Sequence, residues 1–268
     1  MVTPTFVNVD STKPIALKDL QLKSNNTKTF EAGNNLLEIF GTGGNPQTIA
    51  ADDQLYTDFP EAYAKFSVNP KAELIFTYNG THWYLVADTT NEHIMDAYVI
   101  QEGQGIYLNC GKTLAKGFKM TSSGAVVDHA LPIAVKSGKF AMAGNSTPVD
   151  RALSEFVMTS GNTKPFEAGN NLLEIFGTGG NPQTIAADDQ LYTDFPEAYA
   201  KFSVNPKAEL IFTFDGTHWY LNADTGCEFI MDSYVIKAGQ GVYLNSAKTL
   251  AKGYTFEIPK PIDTPAAK

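Results

Sequence analysis

Two acidic pairs, Asp52–Asp53 and Asp188–Asp189, carry the side chains that could hold a hard cation. Asp58 and Glu61 follow the first pair, and Asp194 and Glu197 follow the second. Calcium is the cofactor such oxygen ligands would suit. The D-x-D-x-D-G order of an EF-hand loop is missing, and the plainer reading is an acidic, solvated loop. Asp88, Asn91 and Glu92 form a smaller cluster of the same kind. His82 stands beside Trp83 and Tyr84, and His218 beside Trp219 and Tyr220. An exposed aromatic face with a histidine donor would suit a glycan. On a strand, Trp83 and Leu85 share one face, while His82 and Tyr84 share the other. Trp83 is therefore expected in the core. His82, Tyr84, His218 and Tyr220 are the candidate ligand residues.

Other chemistries find little to work with. Gly41-Thr42-Gly43-Gly44 is glycine-rich but lacks the Lys-Ser/Thr of a phosphate loop. There is no G-x-S-x-G, and no Cys–His set recurs. His93 and His129 have no counterparts at the repeat spacing described below. Cys110 and Cys227 face Ser246 and Asn91 at that spacing, which excludes a repeated disulfide and favours two free thiols. The expectation is a protein that is not an enzyme. A net charge of −9 argues against nucleic acid as a partner. No apolar run reaches the roughly 20 residues of a membrane helix, so membrane insertion is not expected. The opening MVTPTFVNVD lacks the basic and apolar regions of a secretory leader.

These residues lie on a duplicated chain. Phe30–Thr77 recurs letter for letter at Phe166–Thr213, an offset of 136 residues. At the same offset GTHWYL, IMD, YVI, GQG and KTLAKG recur. The offset predicts two tandem units, residues 1–135 and 136–260, followed by a proline-rich tail at 261–268. Tandem domains fit a repeat this long better than a solenoid does.

Within each unit the pattern is that of short strands. Ile15, Leu17, Leu20 and Leu22 suggest strand material with a shift in phase, and Leu36–Phe40 is a short apolar run. Thr48–Asp58 alternates weakly and is expected as strand, while Phe59–Phe66 reads as a helical turn or two. Asn79-Gly80, matched by Asp215-Gly216, predicts a β-hairpin with a type I′ turn. Ile94–Gln101 and Ile106–Asn109 are expected to pair with each other. Further strands are expected over Thr113–Met120, within Ala125–Val135, and from Lys139. The βαβ alternation of a parallel sheet is absent. The expected fold class is all-β: two tandem antiparallel β-sandwich or barrel-like domains, each with at most a short helix.

Gly103-Gln104-Gly105-Ile106-Tyr107 and Gly239-Gln240-Gly241-Val242-Tyr243 each follow a tryptophan-bearing hairpin. This arrangement resembles β-domains of bacterial secreted and surface proteins of unknown function, although the proline that leads the turn in that pattern is missing here. The resemblance implies an extracellular or cell-surface setting. Repetition favours a binding face or an assembly interface, since linked copies raise avidity. The expected function is a non-enzymatic structural subunit that self-assembles into an extracellular fibre, surface layer or shell, its partner being itself. Thr5, Phe6, Val7, Asn8 and Val9 form a terminal strand that could complete a neighbour's sheet by β-strand addition. The alternative is a carbohydrate-binding or adhesive module with one aromatic site per domain.

Overall fold

The structure is a computed structural model that describes residues 15–39, 52–67, 74–101, 106–122, 130–145, 147, 149–175, 185–204, 209–238 and 240–259. The Gly41–Gly44 loop, the Thr5–Val9 strand and the tail at 261–268 lie outside the described residues. The all-β reading holds, with every strand pair among the described residues antiparallel.

In the first repeat the phase shift among Ile15, Leu17 and Leu20 has a physical cause. Strand β1 (Ile15–Ala16) runs into a single 3-10 turn at Leu17–Asp19 and emerges as β2 (Leu20–Ser24). The turn buries Leu17, whose N–H donates to the Tyr98 carbonyl at 2.9 Å. Strand β3 (Asn35–Ile39) buries Asn35, Leu37 and Ile39 and leaves Leu36 and Glu38 half-buried, the period-two pattern of a strand.

Two short helices follow where one was expected. Asp53–Asp58 is α1, not a strand, because Asp52 caps its first turn and Leu55 turns into the core. Helix α2 (Pro60–Phe66) begins on proline, which loses nothing there because first-turn N–H groups have no helical partner. The chain continues through β4 (Ile75–Tyr78), β5 (Trp83–Leu85), β6 (Val99–Ile100), β7 (Ile106–Cys110) and β8 (Phe118–Ser122). Strands β6 and β7 do not pair with each other as expected. β6 pairs with β1, and β7 pairs with β3. The sheet order is β5-β4-β3-β7, with β2-β8 as a separate pair. Leu37, Phe76, Trp83, Tyr98, Ile106 and Met120 draw these layers onto one core.

Two strands then precede the second copy: β9 (Leu131–Val135) and β10 (Phe140–Gly144). The second copy repeats the plan as β11 (Arg151–Ala152), β12 (Val157–Thr159), β13 (Asn171–Ile175), α3 (Asp189–Asp194), α4 (Pro196–Phe202), β14 (Ile211–Phe214), β15 (Trp219–Leu221), β16 (Val235–Ile236), β17 (Gly241–Ser246) and β18 (Tyr254–Ile258). Its sheets run β10-β17-β13-β14-β15 and β12-β18-β9. Strands β9 and β10 therefore form an arch. They are joined by a tight turn in which the Lys139 N–H donates to the Lys136 carbonyl at 3.0 Å, and each enters a different sheet. A division at residue 135 would cut this arch in two, yet both of its strands belong with the second copy. Among the described residues no ladder joins strands β1–β8 to strands β9–β18.

Gly253 lets β9 approach. Its φ is +66°, and a Cβ there would collide with the Val135 carbonyl oxygen, a backbone atom that no side-chain relaxation can move away. Gly253→Ala is expected to destabilise the second copy on the order of 3 kcal/mol. Gly161→Ala, where the nearest atom is the Lys252 Cδ at 3.8 Å, is expected to be close to neutral. Urea melts of the two variants against the parent measure the difference.

Candidate functional site

The hairpin tips come first, because the candidate ligand residues sit there. Strands β4 and β5 pair through Tyr78 and Trp83, so the loop is Asn79–His82 and not a two-residue turn. Among the described residues the only non-glycine positive φ angles belong to Asn91 and Cys227, which rules out a type I′ turn at Asn79. The asparagine serves as an acceptor instead. Its Oδ1 takes the N–H groups of Thr81 and His82, both at 2.8 Å. Asp215 does the same for Thr217 at 2.7 Å and His218 at 2.8 Å. The Asn-to-Asp exchange between copies thus preserves a side-chain oxygen, not a left-handed backbone.

His82 is held by a residue that sequence reasoning did not single out. Its Nδ1 lies 2.7 Å from Asp96 Oδ2, while Asp96 Oδ1 accepts the Trp83 N–H at 2.8 Å. His218, Asp232 and Trp219 repeat this at the same distances. The recurring IMD tripeptide, whose last residue is Asp96 or Asp232, was the available signal. Trp83 is buried, as its strand face predicts, but Tyr84 and Tyr220 are only 7% exposed. With both aromatic faces covered, Trp83, Tyr84, Trp219 and Tyr220 present no exposed platform of the kind the alternative glycan reading would use, and His82 and His218 remain as the half-exposed members. No hydroxyl or thiol nucleophile contacts either imidazole in the described structure, so each His–Asp pair pins a hairpin tip to the loop behind it.

The acidic clusters also have structural occupations. Asp52 is buried, and its two oxygens accept from the Leu55 N–H and the Tyr98 hydroxyl, the latter at 2.7 Å. Burial, and then the Asp52 carboxylate, push the Tyr98 phenol far above its usual range, which keeps it a donor. Asp188 and Tyr234 repeat the contact. Asp53 and Asp189 are exposed first-turn residues of α1 and α3, where a negative charge suits the helix start. Among the described residues no group of three or more His, Cys, Asp or Glu side chains is arranged to hold a metal ion.

Asp88 anchors a turn. It accepts from the His93 N–H and the Thr90 hydroxyl, both at 2.9 Å, and Lys65 Nζ lies 3.4 Å away while reaching Glu92 at 2.8 Å. Burial alone would raise its pKa. The His93 N–H, the Thr90 hydroxyl and the Lys65 ammonium outweigh that and hold it below the usual carboxylate range. His93 packs edge-on to Phe66, in the slot that Phe229 fills beside Phe202 in the second copy. Its ring packs there while its Nδ1 faces Asp88 Oδ2 at 3.4 Å. Cys110 and Cys227 are free thiols.

The copies differ most along one side. In the second, β10 covers the outer edge of β17 and β9 covers that of β18. In the first, among the described residues, the outer edges of β7 and β8 carry no strand. Burial follows the difference. Ser246 and Tyr254 are buried at 0% and 4% exposure, whereas their counterparts Cys110 and Phe118 are only half-buried. The covering strand β9 carries Pro132, which lacks an N–H and suits a terminal edge. Neither β7 (IYLNC) nor β8 (FKMTS) carries a proline, and Lys119 is the one charged side chain on these two strands. This edge is the candidate functional site. The sequence hints at it through strand-like material at 131–144 that interrupts the repeats. Compared with protein-family models, curated proteins and solved structures, the chain matches none.

Two variants test the local account. Asn79→Asp is expected to leave stability unchanged, because the second copy already uses that acceptor, while Asn79→Ala costs about 1 kcal/mol in a thermal or urea melt. For Asp88 the folded pKa is depressed, so its contribution is present above the ordinary carboxylate pKa and is lost as pH falls through about 4 and below. Asp88→Asn is expected to lower the urea midpoint at pH 7 and to flatten its fall between pH 5 and pH 2.

Proposed function

We propose that this chain is a non-enzymatic structural subunit whose copies associate by β-strand addition, building a fibre, layer or shell outside the cell. The observation that carries this reading is the outer edge of β8 in the first copy, which no strand covers among the described residues, beside the same edge covered by β9 in the second. An edge strand presents a row of backbone N–H and C=O groups, and an added strand satisfies them all at once. The pairing of β9 with β18 is antiparallel, with Tyr254 opposite Val135 and Ile258 opposite Leu131, and it supplies the geometry proposed for such a partner. By equivalence an incoming strand lies along Phe118–Ser122. A chain with only 18% charged residues puts little repulsion in the way of self-association. Duplication supports the same reading, since a subunit of two like domains offers similar surfaces at two places along a growing assembly.

Negative-stain electron microscopy of concentrated protein tests this directly. Filaments, sheets or closed shells are expected, and dispersed monomers at high concentration would sink the reading. A synthetic peptide of residues 130–136, which spans β9, is expected to slow growth when present in excess. A scrambled peptide of the same composition is expected to leave growth unchanged, with light scattering as the readout.

A further inference from the structure

The sheet β12-β18-β9 has a hollow at the end where β12 and β9 finish and β18 begins. Its volume is about 400 Å³, and Thr159, Gly161, Lys252, Gly253, Thr255 and Lys136 line it. The register explains the space. Val135, Tyr254 and Phe256 turn into the core, so the residues between them face outward. Thr159, Thr255 and Ala134 stand in one row across the three strands. Past that row come Gly161 and Gly253, which have no side chains to fill the gap. Lys252 leans over it, with its Cδ 3.8 Å from where a Cβ on Gly161 would stand. Lys136 rises on the other side, at the start of the arch's turn.

We propose that this hollow binds a small phosphate or sulfate monoester. The Lys136 and Lys252 ammonium groups and the Thr159 and Thr255 hydroxyls donate to its oxyanion. Among the described residues neither lysine pairs with a carboxylate, and neither threonine hydroxyl makes a hydrogen bond, so all four donors are available. No Asp or Glu lines the hollow, although the chain carries 29 acidic against 20 basic residues. Such a lining repels cations and gives an oxyanion charge-assisted hydrogen bonds. The volume falls in the range of small-molecule sites, which leaves room for an organic body on the anion. The floor is held before any ligand arrives. Ser160 Oγ donates to the Gly253 carbonyl at 3.3 Å, and Asn162 Oδ1 accepts the Lys252 N–H at 2.6 Å.

The two copies keep the charge but not the residues. At the repeat offset Lys116 matches Lys252, while Lys23, Lys119 and Asn25 take the places of Thr159, Thr255 and Gly161. Lys23 and Lys119 stand directly opposite each other on β2 and β8, which like charges disfavour. Positive charge therefore recurs at this corner of an acidic chain through mostly different side chains. The second copy joins that charge to space, because threonine and glycine stand where the first has lysine and asparagine.

Calorimetric titration of the full chain with glucose 6-phosphate and with glucose 6-sulfate tests the proposal. Inorganic phosphate, inorganic sulfate and glucose serve as references. Saturation of a single site per chain by either ester is expected, and the tighter of the two identifies the source of the anion. Lys136→Gln combined with Lys252→Gln is expected to weaken binding about tenfold or more, since hydrogen bonds to charged groups are the strong ones. Lys18→Gln combined with Lys112→Gln removes the same charge from exposed sites in the first copy and is expected to leave binding unchanged. Thr255→Val, similar in shape and suited to a strand, is expected to weaken binding severalfold. It keeps the test decisive if a urea melt shows the lysine double variant to be unfolded. The proposal is overturned if neither ester saturates, if the inorganic ions bind as tightly as the esters, or if binding survives in the folded Lys136→Gln, Lys252→Gln protein. None of these readouts depends on filaments forming, so the binding site and the assembly reading can fail separately.

Discussion

An unpaired strand edge leaves a line of backbone donors and acceptors that must meet water, another strand, or a residue that blocks approach. That requirement organises this chain. The second copy satisfies it with an arch that sends one strand to each sheet and ends in a strand bearing Pro132. Around this closure the core gains Val135, Ala141 and Ala143, and Ser246 and Tyr254 become fully buried. The first copy has the same inner strands in the same register, so the cover it lacks among the described residues is a difference in edges and not in fold.

Periodic patterns were legible in the residues, and pairings over long distances were not. The alternation Leu37–Ile39, the hairpin carrying Trp83 and the short helix at Pro60 could be read locally. Asp53–Asp58 could not, because its weak alternation was outweighed by a capping carboxylate at Asp52 and a tertiary contact to Tyr98. Strands β6 and β7 lie close in sequence yet pair elsewhere, since β6 is drawn to β1 and β7 to β3. The hairpin was visible in Asn79-Gly80, but its turn type was not, because the side chain of Asn79 and not its backbone does the work.

The candidate sites divide along the same line. Residue type correctly marked Asp52, Asp88 and His82 as unusual. Their partners, Tyr98, Lys65 and Asp96, show that each is spent on holding a loop or a helix end in place. Repetition of each contact in the second copy reinforces that these are parts of the scaffold. The edge could not be seen from side chains, because what distinguishes it is backbone that no strand pairs among the described residues.

The arch has a consequence for how the chain comes to be. It is synthesised soon after β7 and β8, and long before β17 and β18. Its native pairing of Val135 with Tyr254 spans roughly 120 residues, the kind of distant contact that forms slowly. For that interval on the ribosome, the near-identical strand IYLN of the first copy already exists while YLN of the second copy does not. The junction between the repeats is therefore a point of kinetic choice, where the nascent chain must pass over a similar partner close at hand and wait for its own.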